Sequence, residues 1–179
     1  VAFSRSLNNM DDPDKEFKKD VQFYLAQARM DYGEVDKAIE VYSEILKAGE
    51  DEQAFFLRGK AYISMEDYKN AEKDFQRALE GCEDYNLYIN IYQIYVDHNK
   101  AVDGDAYLKM ALELEPQDGE DCYHRGRIYE YEKNYEAARD ELKTAMEQGY
   151  EDAMLLLGRV YLEMEDPASA RSMYQEYLQ

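Results

Sequence analysis

Along most of the chain, apolar and aromatic residues return at intervals of three and four, the spacing that lines one side of an α-helix. Tyr62, Phe75, Tyr129, Tyr161 and Tyr174 lie on such stripes, and Ala170, Met173, Tyr174, Tyr177 and Leu178 form another near the C-terminus. Short polar or helix-breaking segments interrupt them: Tyr32-Gly33-Glu34, Glu66-Asp67, Asn99-Lys100, Lys133-Asn134 and Glu165-Asp166-Pro167. The pattern predicts an all-α chain in which helices come in pairs, each pair joined by a short turn. Asp12-Pro13-Asp14 combines an N-cap, a proline tolerated in a first turn and a carboxylate favoured by the helix dipole. The first helix is therefore expected to start near Pro13, after a loosely ordered segment 1–12 and at the head of a single domain 13–179.

The stripes repeat on a fixed ruler. Gly59-Lys60-Ala61-Tyr62, Gly126-Arg127-Ile128-Tyr129 and Gly158-Arg159-Val160-Tyr161 each set a Gly, a basic residue, an apolar residue and a Tyr in series. Each Gly is followed twelve residues later by an Ala, at Ala71, Ala138 and Ala170, and Ala26 stands in the same relation to Ala38. Between the first two runs, Ile91-Tyr92-Gln93-Ile94-Tyr95 keeps a Tyr but has no Gly, so a degenerate unit sits there. Small residues at this spacing imply that two helices cross closely, and a bulky substitution should overpack the crossing.

Phe55-x2-Arg58-Gly59-x2-Tyr62…Ala71-x3-Phe75 resembles the tetratricopeptide repeat pattern W-x2-L-G-x2-Y…A-x3-F…P. Met154…Gly158…Tyr161…Ala170-x3-Tyr174 and Cys122…Gly126…Tyr129…Ala138-x3-Leu142 follow it closely. The middle unit places Tyr92 and Gly104 where small residues usually face each other, and the first replaces the large aromatics with Gln22 and Arg29. The resemblance spans about Lys19 to Gln179 and implies five repeats, at 19–51, 52–84, 85–118, 119–150 and 151–179. It also implies a right-handed α-α superhelix of antiparallel helix pairs whose concave face, lined by the first helix of each unit, binds extended or helical peptides.

Counting with that ruler, the residues after the small position form a ladder of Gln27, Lys60, Gln93, Arg127 and Arg159, with rungs about 10 Å apart. Flanking rungs are Phe23, Phe56, Ile89, Tyr123 and Leu155, then Tyr24, Leu57, Asn90, His124 and Leu156. With Tyr131, these make a mixed face on which Lys60, Arg127 and Arg159 would pair with ligand carboxylates while Phe56 and Tyr123 receive apolar side chains. The competing reading is intrahelical pairing, since Arg127 stands three residues from Glu130, Arg159 four from Glu163, and Gln93 four from Asp97. Some family members clamp chaperone tails by their carboxylates. Here Lys60, Asn90 and His124 take clamp-like places, but Phe56 and Glu120 stand where cations would be needed, which argues against that partner.

Charge narrows the partners. Lys and Arg total 21 against 40 Asp and Glu in 179 residues, a net −19 that repels polyphosphates and anionic headgroups, so nucleic acid and direct membrane insertion are not expected. No metal or cofactor is expected either: Cys82 and Cys122 lack ligand spacing, and the Asp97–Asp105 stretch lacks the bidentate Glu of a calcium loop. With only His98 and His124 and no nucleophile context, catalysis is not expected. The favoured function is a protein- or peptide-binding scaffold. The alternatives are a module that self-associates through its exposed C-terminal helix and a sensor of small ligands or peptide signals. The start at Val1, without an initiator Met, fits a processed or trimmed chain, and a cytoplasmic adaptor and a surface lipoprotein remain open alternatives.

Overall fold

The computed structural model describes residues 15–178, and among these every regular element is an α-helix. The expected loosely ordered segment 1–12 and the helix start near Pro13 lie outside the described residues. Ten helices follow one another as α1 (Lys15–Asp31), α2 (Val35–Ala48), α3 (Glu52–Ser64), α4 (Tyr68–Ala78), α5 (Tyr85–Asp97), α6 (Ala101–Leu112), α7 (Gly119–Tyr131), α8 (Tyr135–Glu147), α9 (Ala153–Glu163) and α10 (Pro167–Tyr177). They are the paired helices of an α-α solenoid. The residues group into two compact units, one the described part of Val1–Cys82 with Ile94–Ala101, the other Glu83–Gln93 with Val102–Gln179.

Every pair is closed by the same turn. Gly33, Glu66, Asn99, Lys133 and Glu165 all have φ between 58° and 77°, the left-handed region. At Glu66 the Schellman pattern is complete: its N–H donates to the Ile63 carbonyl at 2.9 Å, and the Asp67 N–H donates to Tyr62 at 2.9 Å. The other four turns repeat those bonds. Asp67, Asn134 and Asp166 then cap the next helix, their side chains accepting from the backbone N–H of Asn70, Ala137 and Ser169. One residue thus satisfies the end of one helix and the next starts the following one.

Inside each pair the small position works differently from a Gly-to-Ala contact. A Cβ on Gly59 would stand 2.7 Å from the Phe75 ring, one on Gly126 2.7 Å from Leu142, and one on Gly158 2.5 Å from the Tyr174 ring. The large residue four positions after each Ala lies across the glycine, and the Ala (Ala71, Ala138, Ala170) is buried beside it. In the first unit Phe75 also packs between Phe56 and Tyr95, with ring centroids 6.1 Å away on either side. Its burial contributes about 2–3 kcal/mol. Leu25, Ala26, Val41, Tyr42 and Ile45 form the neighbouring core. In the second unit Leu142, Ala145, Leu156, Leu157 and Val160 do the same.

One position in the repeat alternates between polar and apolar solutions. Arg58 grips Asp74, sixteen residues on, with bonds of 2.7 and 2.8 Å, and donates to the Ser43 hydroxyl at 3.0 Å. Asp74 is only 4% exposed, and its hydrogen bond holds the Arg58 guanidinium above its usual pKa. Arg125 repeats the arrangement with Glu141 at 2.9 Å and donates to the Leu112 and Leu114 carbonyls, satisfying acceptors left over at the end of α6. The same pair of positions holds Leu25 with Val41, Ile91 with Tyr107, and Leu157 with Met173 in the other repeats.

Two outcomes follow for stability. Asp74→Ala strands a half-buried guanidinium and should lower unfolding stability by about 3 kcal/mol, whereas Arg58→Leu combined with Asp74→Val, the first repeat's solution, should stay within about 1 kcal/mol of the parent in urea titration. A double variant as unstable as Asp74→Ala would assign the polar pair a structural role that apolar packing does not replace. Relieving the left-handed residues should act oppositely: Glu66→Gly and Lys133→Gly should each add about 0.5–1 kcal/mol, measured the same way, and a loss would show that their side chains matter more than backbone strain.

Candidate functional site

On α1 and α3, the first helices of the first unit, the expected face divides into packed and exposed residues. Phe23 is half-buried with its ring 6.4 Å from Tyr42, and Phe56 is half-buried against Phe75. Tyr24 is exposed, and Gln27 bonds Asp31 on its own helix at 2.8 Å. The Lys60 side chain is exposed and makes no ion pair among the described residues.

The second unit gathers more chemistry. Tyr123, His124, Arg127 and Glu130 come from α7, Asn86, Asn90 and Gln93 from α5, and Leu155, Leu156 and Arg159 from α9. Gly119 opens α7 without a side chain, and a Cβ there would be 3.1 Å from that of Tyr150. The turn after α8 can therefore approach closely enough to set the Tyr150 ring 5.0 Å from Tyr123. Asn90 and Gln93 are exposed, and Tyr131 rests 5.3 Å from Tyr92, the aromatic that replaces the small residue of the degenerate repeat.

His124 does not line an open face. It is 5% exposed, because its side chain points into the packing with α5, where Nε2 lies 2.9 Å from the Asn86 amide. Arg127 Nη1 is 3.2 Å from His124 Nδ1 and 3.3 Å from Asn86 Oδ1, and its guanidinium lies over the Tyr123 ring at 5.9 Å. The Arg127 guanidinium at Nδ1 and the Asn86 Nδ2 at Nε2 both only donate, so a neutral ring, with a single accepting nitrogen, accepts from one of them at a time. Glu120 stands 3.7 Å from Nε2. Burial, helped by Arg127, pushes the His124 pKa below its ordinary value despite the opposing pull of Glu120, so the ring is neutral at pH 7.

The two ladder arginines part company. Arg159 does not pair with Glu163 on its own helix; it holds Glu130 of α7 through bonds of 2.5 and 2.6 Å. Arg127, whose intrahelical partner would be Glu130, makes no ion pair among the described residues. Beside Arg159 a cleft of about 380 Å³ opens, lined by Tyr123, Asp152, Leu155, Leu156 and Arg159. Asp152, Tyr150 and Asn86 were absent from the residues singled out by the repeat ruler, because they lie at helix starts or in turns where the ruler marks nothing. The pairing of Glu130 with Arg159 was missed because residues on one helix are the nearer neighbours in sequence.

Models of the tetratricopeptide repeat match residues 52–84 and 123–179. No curated protein matches by sequence. Among solved structures, YrrB, described as a TPR protein with an unusual peptide-binding site, is 22% identical with a TM-score of 0.53, covering 99% of this chain and 91% of that one. A tetratricopeptide repeat protein from Parabacteroides merdae is 12% identical with a TM-score of 0.60, covering 99% of this chain and 70% of its own. MamA from Desulfovibrio magneticus RS-1 is 15% identical with a TM-score of 0.56, covering 89% and 93%. These likenesses concern the fold. Joined to the Gly-Tyr-Ala ruler and the repeated helical hairpin, the two family matches establish that this chain belongs to the tetratricopeptide repeat family.

Proposed function

We propose that the chain is a non-catalytic scaffold that binds a segment of another protein on the exposed faces of its first helices. The observation that carries this reading is the cleft beside Tyr123 and Arg159, which joins an apolar floor of Leu155 and Leu156 to charged groups at its rim. Arg127 sits on the same helix as Tyr123 with no carboxylate of its own, so it is the ladder cation that a bound carboxylate would meet. Lys60 offers an equivalent charge on α3. Arg159, already gripped by Glu130, contributes shape more than charge. A peptide-binding site is also described for YrrB, one of the similar structures. Dodecapeptides selected from a random library should bind the whole chain, and Arg127→Gln should weaken them about tenfold with an unchanged unfolding midpoint. Undiminished binding by that variant would remove Arg127 from the site.

One observation favours self-association as a second reading. The outer side of α10 leaves a groove of about 290 Å³ lined by Leu162, Pro167, Ala170, Tyr174 and Leu178, among others, and Leu178 is 84% exposed. Tyr174 is only half-buried, whereas the corresponding residue of α8, Leu142, is fully covered. A second copy seated there would make the protein an oligomer that Tyr177→Glu dissolves. Light scattering that finds a monomer at every concentration eliminates this reading.

A further inference from the structure

Within the cleft of the second unit, the charges do not balance. Arg159 is neutralised by its two bonds to Glu130, leaving Asp152 as the charged lining residue without a partner among the described residues. Its freedom has a local cause. Asp51, Asp67, Asp118 and Asp166 each spend a carboxylate oxygen on capping a helix, whereas Asp152, at the start of α9 with φ −59° and ψ −20°, makes no side-chain cap bond. An αR backbone at that position aims the side chain away from the N–H groups it would otherwise cap.

The surroundings select the group that would answer this carboxylate. Tyr123 walls the cleft, and the ring of Tyr150 stands 5.0 Å from it, while Leu155 and Leu156 supply apolar surface. Glu120 lies close by, exposed, with a neutral His124 as its neighbour at 3.7 Å. Burial raises the pKa of the Tyr150 hydroxyl, and the fields of Glu120 and Asp152 raise it further, so both carboxylates act on the same spot. A ligand carboxylate entering the cleft would face Asp152. A cation on a long apolar stem would lay its methylenes on the leucines, pass the aromatic rings and end at Asp152, and the net charge of −19 would draw it in.

We infer that the cleft between Tyr123, Leu155 and Asp152 receives a lysine or arginine side chain of the bound segment. The inference rests on the peptide-binding reading and names the residue that reading leaves unspecified. Arg127, outside the cleft lining, remains available to a carboxylate elsewhere on the same segment.

The test uses random dodecapeptides selected against the whole chain, with affinities read by fluorescence anisotropy. The selected peptides should carry a Lys or Arg whose replacement by Met lowers affinity about tenfold. Asp152→Asn should cost the same factor, and the two changes together no more than either alone. Asp152→Asn should leave the melting temperature unchanged, since its carboxylate holds nothing in the fold. Binders that lack a basic residue, or that are indifferent to Asp152→Asn, overturn the inference and leave the peptide-binding reading standing. Tighter binding of acidic peptides by Asp152→Asn overturns it too, by placing a carboxylate in the cleft. A selection that yields no binder overturns both.

Discussion

The structure depends on a glycine lying flat beneath a large side chain of its partner helix. At Gly59 under Phe75, Gly126 under Leu142 and Gly158 under Tyr174, there is no room for one more carbon. A contact that tight fixes the separation and the rotation of the two helices in a pair. It therefore decides which residues of the first helix turn toward the partner and which stay outside. Lys60, Arg127 and Arg159, one position beyond each glycine, project from the packed seam for this reason. The degenerate repeat shows the alternative: with Tyr92 at that position, an aromatic is left half-buried beside Tyr131.

Much of this was legible in the amino-acid order because it is local. Turn residues lie next to each other, and the glycine, tyrosine and alanine of one pair fall within about fifteen residues, so their spacing survives as a ruler. What the order concealed were contacts between consecutive first helices. Glu130 reads as a partner for Arg127 three residues away, yet it belongs to Arg159, which the stacking of α9 on α7 brings alongside. His124 reads as one rung of a face, yet the rotation of α7 turns it into α5, where Asn86 meets it. The half-buried Arg58 and Arg125 were hidden differently. Each occupies the leucine place of the repeat pattern and reads as a weakened match, when the signal was an acidic residue sixteen positions later.

Electrostatics complicates a chain this acidic. Most of its carboxylates are solvated, and a surface pair contributes little. The exceptions are the Arg58 and Arg125 sites, where a charge is enclosed and must be matched, and the region around Tyr123, where cations and anions are apportioned unevenly among neighbours. Glu130 takes Arg159, Arg127 stands beside a neutral imidazole, and Asp152 keeps its charge to itself. This distribution of partners, more than the total charge, gives one stretch of helix surface a chemical character its equivalents lack.

The fused turns have a consequence for how the chain can change length. A helix-ending residue in the left-handed region is followed at once by the residue that begins the next helix, so the connection contains no slack. Adding or removing a single amino acid there would rotate the second helix by about 100° and turn its apolar stripe away from the glycine. Variation that keeps every stripe in phase must come as a complete hairpin, inserted or lost whole.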